Sequence, residues 1–275
     1  MSYHQIMNQQ QNKELRERFN PEGSELRRQQ LRMVELLDEV DRICKKYDIP
    51  YWLSAGTLLG AARHQGFIPW DDDLDVEMLR SDYFRLMEVL PKELPEHLAL
   101  QSHDTDENYI YVYAKLRDKN SYMEEYCVYD KNFKEKGIYI DIFPLERIPR
   151  FFAWLGGHMH GQIYNQLNNQ KLSDEVALKR AKFIFNLNQR FGFPLLRAAA
   201  SLLRTKELRH ALGTSWQKAR HMEDIFPLTE IEFEGKNYPC PRNADAMLRK
   251  IYGDYMQLPD LENLKPHCRI LKFYK

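Results

Sequence analysis

Between Gly66 and Met78 the chain reads GFIPWDDDLDVEM, and five carboxylates fall there: Asp71, Asp72, Asp73, Asp75 and Glu77. Asp73, Asp75 and Glu77 alternate with Leu74, Val76 and Met78, the period of a half-buried β-strand. Side chains two apart on a strand point the same way, so Asp71, Asp73, Asp75 and Glu77 are expected to share one face. Two carboxylates about 6 Å apart repel by roughly 3 kcal/mol at an effective dielectric of about 20. Such a face must be solvated, take up protons or hold a divalent cation. An acidic run is most often a solvated face. An EF-hand loop is excluded, because its sixth position holds Val76 rather than Gly and its twelfth holds Asp82 rather than Glu. A D-x-D site remains, with oxygen ligands suited to Mg²⁺ or Mn²⁺.

The neighbouring segments suit that chemistry. Upstream, a β-prone run from Tyr51 meets Ser54-Ala55-Gly56-Thr57 and then a short helix ending near His64. A Gly at a strand-to-helix turn lets backbone N–H groups approach an anion, and the helix N-terminus adds its positive dipole end. The Ser54 and Thr57 hydroxyls could donate to the same phosphate. Downstream, GIYIDIFP places Ile138, Ile140 and Ile142 on one strand face and Tyr139, Asp141 and Phe143 on the other. A buried Asp there needs a partner or a metal. Two carboxylates on one strand and a third on a neighbour can hold metals, and Asp141 is also a candidate base for an incoming hydroxyl.

The elements that must position these groups are an amphipathic helix from Ser24 to Tyr47 and a helix from Ser81 to Leu90. Strands are expected at Tyr109–Leu116 and at Gly137–Phe143, the latter closed by Pro144. From Phe151 to about His221 the pattern is helical, and Phe191–Leu203 reads as a packing helix in preference to an interfacial membrane segment. A hairpin around Gly235-Lys236 and a helix at Asn243–Tyr252 follow. Residues 1–23 read as a polar, frayed arm. The expected fold class is α+β: a nucleotidyltransferase-like mixed sheet flanked by helices over 24–150, with an appended, mainly helical part with a hairpin over 151–275.

Composition narrows the function. Forty Lys and Arg balance forty Asp and Glu, so no global field favours nucleic acid. The four cysteines, Cys44, Cys127, Cys240 and Cys268, have no paired spacing; reduced thiols and no zinc are expected. No apolar run approaches the roughly 18 residues of a membrane span, and no apolar signal core opens the chain. A soluble cytoplasmic protein is expected.

The stretches LSAGTLLGAARHQGFIPWDDDLDVEM, YAKLRDKNS and GIYIDIFPLERIP strongly resemble the LicD family, bacterial phosphorylcholine transferases related to the fukutins. The segment EFEGKNYPCPRNADAMLRKIYGDYMQLPD and His267 are similar to that family's ending. The resemblance is dense over 30–148, returns over 225–267 and is poor between. It implies Asp73 and Asp75 as metal ligands, with Asp71 supporting the loop or a metal-bound water. It implies Gly56 and Thr57 on the phosphate side, Arg63 and His64 in the short helix, and Lys115 and Arg117 as cations facing the phosphates. His267 is more readily structural than catalytic.

The implied reaction moves a phospho-alcohol, best known as phosphocholine, from a CDP-activated donor (CDP-choline first) to a hydroxyl of a cell-surface glycan. CMP is released. A lipid-linked acceptor would bring the protein to the inner face of the membrane. Trp52, Trp70, Tyr111 and Tyr113 are candidates for an aromatic cage around choline. Two rivals are a D-x-D glycosyltransferase using a nucleotide-sugar and a non-catalytic nucleotide-binding module.

Overall fold

The computed structural model describes residues 7–126, 128–264 and 267–274. In chain order its elements are α1 (Gln9–Phe19), α2 (Glu25–Lys46), β1 (Trp52–Leu53), α3 (Ala55–His64), β2 (Asp75–Leu79), α4 (Arg80–Glu93), β3 (Leu98–Gln101), β4 (Ala114–Asp118), β5 (Ser121–Glu125) and β6 (Tyr139–Arg147). Helices α5 (Arg150–Leu167), α6 (Asp174–Leu187) and α7 (Phe193–Ser201) follow, a π-helical turn at Asn188–Gly192 joining the last two. Then come β7 (Glu207–His210), β8 (Arg220–His221), α8 (Met222–Ile225), β9 (Thr229–Phe233), β10 (Lys236–Cys240), α9 (Ala244–Tyr252) and β11 (Cys268–Phe273). The class is α+β, as expected.

The central sheet runs β1-β2-β6-β4-β3, with β7 joined to β6 and β8 to β7. Its β2–β6 pair is parallel and the others are antiparallel. Period-two alternation splits the sheet into two faces. Val76, Met78, Leu116, Ile140 and Ile142 pack into one core with Met33, Leu37 and Val40 of α2 and Leu86 and Leu90 of α4. The opposite face carries Asp75, Glu77, Lys115 and Asp141. Burying the apolar face is the main favourable term here, at roughly 25 cal/mol per Å².

Several expectations are corrected. The N-terminal arm contains α1, whose Leu15 is buried. The arm is tied down: Asn12 donates to the His64 carbonyl (3.1 Å), as does Arg16 (3.2 Å). β2 begins at Asp75, because Asp71–Leu74 is extended loop held by other groups. β6 continues through Pro144 to Arg147, since its partner changes there from β4 to β7. The Tyr109–Leu116 strand is shifted to Ala114–Asp118. The hairpin turns at Glu234-Gly235, both at positive φ. β7 and β8, missed as short polar strands, place part of the 151–275 region inside the central sheet. Cys44, Cys240 and Cys268 are free thiols; Cys127 lies outside the described residues.

Buried His64 gives the fold an acid-sensitive point. Its Nδ1 lies 2.7 Å from Asn12 Oδ1, and its Nε2 accepts from Arg63 Nε (2.9 Å). Burial, with Arg63 and Arg16 nearby, pushes the imidazole down to about 3. An unfolded His takes up its proton near pH 6.5. Between these values the unfolded chain binds more protons, so stability falls as pH drops from about 6.5 towards 3. By pH 5 this site should cost about 2 kcal/mol. Urea unfolding against pH should show a shallower acid slope for His64→Gln, and equal slopes would refute the assignment.

Candidate active site

The acidic loop is held from below by α2. Gln29 donates to the Asp72 carbonyl (2.8 Å) and Gln30 to that of Asp71 (2.9 Å), both glutamines being buried. Asp72 turns away from the others. Its Oδ2 accepts from the backbone N–H groups of His267 and Cys268, each at 2.8 Å, and its Oδ1 pairs with His267 Nδ1 at 2.8 Å. That leaves Asp71, Asp73 and Asp75 on the wall of a cavity of about 540 Å³, with Asp141.

Strand register builds the acidic floor. Asp75 pairs with Asp141 across the parallel β2–β6 ladder, and Asp141 pairs with Lys115 across β6–β4. The three charges form one row. Lys115 Nζ lies 2.8 Å from Asp141 Oδ1 and 3.3 Å from the centre of the Tyr139 ring. The α3 N-terminus forms the adjoining edge, where Ser54, Ala55 and Gly56 line the cavity. Its first N–H groups have no intrahelical acceptor. Ala55 sits at φ +45°, a strained backbone where β1 turns into α3. A Cβ on Gly56 would meet Asp71 Oδ2 at 2.7 Å, so only Gly lets that carboxylate approach.

The cavity opens where β6 changes partner. β4 pairs up to Ala114–Ile142 and β7 starts at Leu145–His210. Tyr111–Tyr113 and Gly213–Trp216 leave the sheet at that gap and become walls. Gly213 makes the second turn possible at φ +104°, with Val112, Phe193 and His160 crowding any Cβ. The result is an aromatic wall: Tyr111 stacks on Tyr113 (5.2 Å), Tyr113 meets Phe143 (4.4 Å) and Phe143 meets His210 (5.0 Å). Trp216 and Tyr252 complete it.

Electrostatics distinguish the carboxylates. Burial pushes Asp71, Asp73 and Asp75 above the usual carboxylate range, and mutual repulsion adds to the rise of Asp71 and Asp75. Asp141 rises to about 6 through burial, with Lys115 opposing the rise. Glu77 behaves in the opposite way. Burial favours its neutral form, but Arg220 and His210 outweigh it and hold Glu77 well below the ordinary range. Hydrogen bonding to Asp72 raises His267 to about 9, and its Nδ1 lies 3.7 Å from Asp73.

A cluster of oxygen donors with raised carboxyl pKa values suits a hard divalent cation, whose charge would reverse those shifts. Among the described residues, no group of three or more His, Cys, Asp or Glu side chains already forms a metal site. The fit rests on donor chemistry and electrostatic demand.

The other residues expected from sequence are placed as follows. Thr57 accepts the Asp75 N–H at 2.8 Å, fixing the start of β2. Arg63 is buried, its Nη1 donating to the Tyr255 carbonyl at 2.6 Å. Its charge favours ionised Asp71 from behind. His64 faces α1. Arg117 donates to Gln101 and to the Gly137 carbonyl, each at 2.8 Å. Of the expected substrate contacts Thr57, Arg63, His64, Lys115 and Arg117, none lines the cavity; Lys115 acts on it only through its ion pair with Asp141. Of the cage candidates, Tyr111 and Tyr113 do. Trp52 is fully buried and donates to Glu77 (3.2 Å), and Trp70 packs on Phe19 and His64. Sequence reasoning missed Phe143, His160, His210, Trp216 and Tyr252, because no local motif announces them. Tyr252 could have been suspected from its place in the YGDY segment.

Comparison with known proteins completes the description. The family model for the LicD/FKTN/FKRP nucleotidyltransferase domain matches residues 48–190. The chain is 28% identical over 258 residues to lipopolysaccharide cholinephosphotransferase LicD of Haemophilus influenzae, covering 88% of this chain and 95% of that protein. Shorter matches reach mouse ribitol-5-phosphate transferase FKTN, 40% identical over 52 residues, and human ribitol 5-phosphate transferase FKRP, 53% identical over 34. These cover 19% and 12% of this chain, and 11% and 7% of those proteins.

Proposed function

The chain belongs to the LicD/FKTN/FKRP nucleotidyltransferase-domain family, and from that membership we propose that it moves a phospho-alcohol, phosphocholine first, from a CDP-activated donor to a glycan hydroxyl. It is an enzyme, a phosphotransferase of the LicD type. The observation that carries the proposal is the in-register row Asp75–Asp141–Lys115, whose two carboxylates line a cavity edged by a helix N-terminus while Lys115 is buried behind Asp141. The sheet is read as nucleotidyltransferase-like on the same grounds.

In this reading Asp73 and Asp75, with Asp71 in support, would hold a Mg²⁺ or Mn²⁺ ion, which when bound neutralises pyrophosphate charge. The α3 N-terminus with Ser54 and Gly56 takes the phosphate side. The acceptor hydroxyl oxygen forms a bond to the distal phosphorus of the donor. The bond from that phosphorus to the bridging oxygen breaks, and CMP leaves with the electron pair. The hydroxyl proton passes to Asp141, which burial raises towards neutral pH and Lys115 keeps available as the ionised base. Most of the rate comes from positioning and charge neutralisation.

Tyr111, Tyr113, Phe143 and Trp216 offer a quaternary ammonium the faces it prefers. A second cavity of about 950 Å³ shares the Thr214–Trp216 wall with the first. Trp154, Gln162, Asn165, Gln217 and Lys218 line it, a mixture of ring faces, amides and charge suited to a saccharide acceptor.

The test is CMP release by purified protein from CDP-choline, CDP-ribitol and CDP-glycerol, with and without Mg²⁺, beside UDP-sugars. Slow hydrolysis needs no acceptor. Metal-dependent CMP from one donor is the expected result. UDP release without any CMP would replace the proposal with a glycosyltransferase.

A further inference from the structure

We propose that the face built by α6, the π-helical turn and α7 docks on an anionic lipid bilayer. Among the described residues sixteen large hydrophobic side chains are exposed, and nine of them lie between 150 and 206. The same segment holds nine Lys and Arg against two acids, in a chain that carries forty of each sign. Apolar exposure and positive charge are thus concentrated together. Neither is required by the fold. The inner sides of these helices are already packed through Ala177, Ala181, Phe185, Phe193 and Ala200.

The spacing gives the exposed side its shape. Val176, Arg180, Phe183 and Leu187 recur at steps of four, three and four, one stripe of a helix. Arg190 and Phe191 continue the apolar–basic pattern through the π turn, and exposed Leu195 and Leu202 carry it along α7. Lys179, Arg180, Arg190 and Arg204 are exposed and form no ion pair among the described residues. Apolar rows flanked by Arg and Lys are the composition of an interfacial helix on acidic headgroups. Among the described residues no helix is long and apolar enough to cross a membrane, so the contact lies in the interface plane.

Two other occupants fit less well. A second copy paired by a twofold axis would bring the basic face against itself. A head-to-tail copy would have to seat this face on a different surface of the chain, in a ring or an open filament. A nucleic acid would match the charge and find rings at Phe183 and Phe191, but exposed Val176, Leu187, Leu195 and Leu202 offer bases nothing to stack on. Docking would hold the enzyme where an acceptor carried on lipid lies. This part of its meaning rests on the proposed reaction, but the experiment does not.

The full-length protein is sedimented with phosphatidylcholine vesicles, with and without phosphatidylglycerol. The expected result is binding to the anionic vesicles only, weakening as salt rises. Joint Phe183→Ser, Leu187→Ser and Phe191→Ser should abolish it, with far-ultraviolet circular dichroism and CDP-donor hydrolysis unchanged. Arg180→Gln with Arg190→Gln leaves the apolar groups in place and should weaken binding by roughly thirtyfold. It tests the proposal even if the triple variant fails to fold. Wild-type protein that stays in the supernatant, or Gln variants that bind like wild type, would overturn it. So would a dimer in sedimentation velocity that the triple variant loses, or binding to RNA in place of vesicles. Loss of donor hydrolysis with vesicle binding intact would count against the reaction and not against the docking face.

Discussion

Asp75→Asn is expected to cut donor turnover by at least about a thousandfold, roughly 4 kcal/mol of barrier, while raising the melting temperature of the metal-free protein. The two effects oppose each other for one electrostatic reason. Burial pushes the Asp75 carboxyl well above its ordinary range, and Asp73, Asp141 and Asp71 add repulsion. A carboxyl raised in the folded state costs stability as pH climbs through its folded value. Ionised Asp75 therefore works against folding at neutral pH. Asn keeps the shape and removes the charge. Mg²⁺ should raise the melting temperature of the wild type by mass action and do much less for the variant. Activity retained above about a tenth of wild type would remove Asp75 from the proposed machinery. Loss of both activity and stability would make it a folding residue.

The second large effect concerns stability. Arg220→Met should destabilise the fold by about 3–5 kcal/mol, the usual result of leaving one buried charge without its partner. Glu77 and Arg220 are both fully buried. Arg220 donates to both Glu77 oxygens, Nε at 3.0 Å, and Nη1 holds the Lys218 carbonyl at 2.7 Å. His210 Nε2 lies 2.8 Å from the same carboxylate.

A carboxylate held below its ordinary value adds stability that is present above the unfolded pKa, near 4.3, and lost as pH falls towards the folded one. Wild type should lose this contribution on acidification, and Arg220→Met should already lack it at neutral pH. Glu77→Leu combined with Arg220→Met should cost less than the sum of the two single changes. Urea unfolding measures all three. A cost below about 1 kcal/mol for the single Arg220 change would show that the pair is not essential to the sheet.

The same network shows how far sequence reasoning reached. Glu77 shares a face with Asp75, as the alternation predicted, but it lies deeper. Its partners are 133 and 143 residues away in the chain. No pattern near Glu77 distinguishes a metal ligand from one arm of a buried ion pair. Arg63, His64 and Arg117 illustrate the same gap. Their positions beside the acidic strand were legible, but their side-chain directions were not, because Tyr255, Asn12 and Gln101 decide them.

The sequence by itself determined the two faces of β2 and β6, since alternation follows from local backbone geometry. It also determined the chemistry of the acidic stretch and the small-residue turn at Gly56, whereas the approach of Asp71 to that glycine came from the fold. Only the tertiary structure decided the register that sets Asp75 beside Asp141 and Asp141 beside Lys115. It alone joined Tyr111 to Trp216 in one wall, and gave α6 and α7 an exposed basic and apolar side. Pairing between distant strands depends on packing energy summed over the whole core. No short window of residues contains that sum.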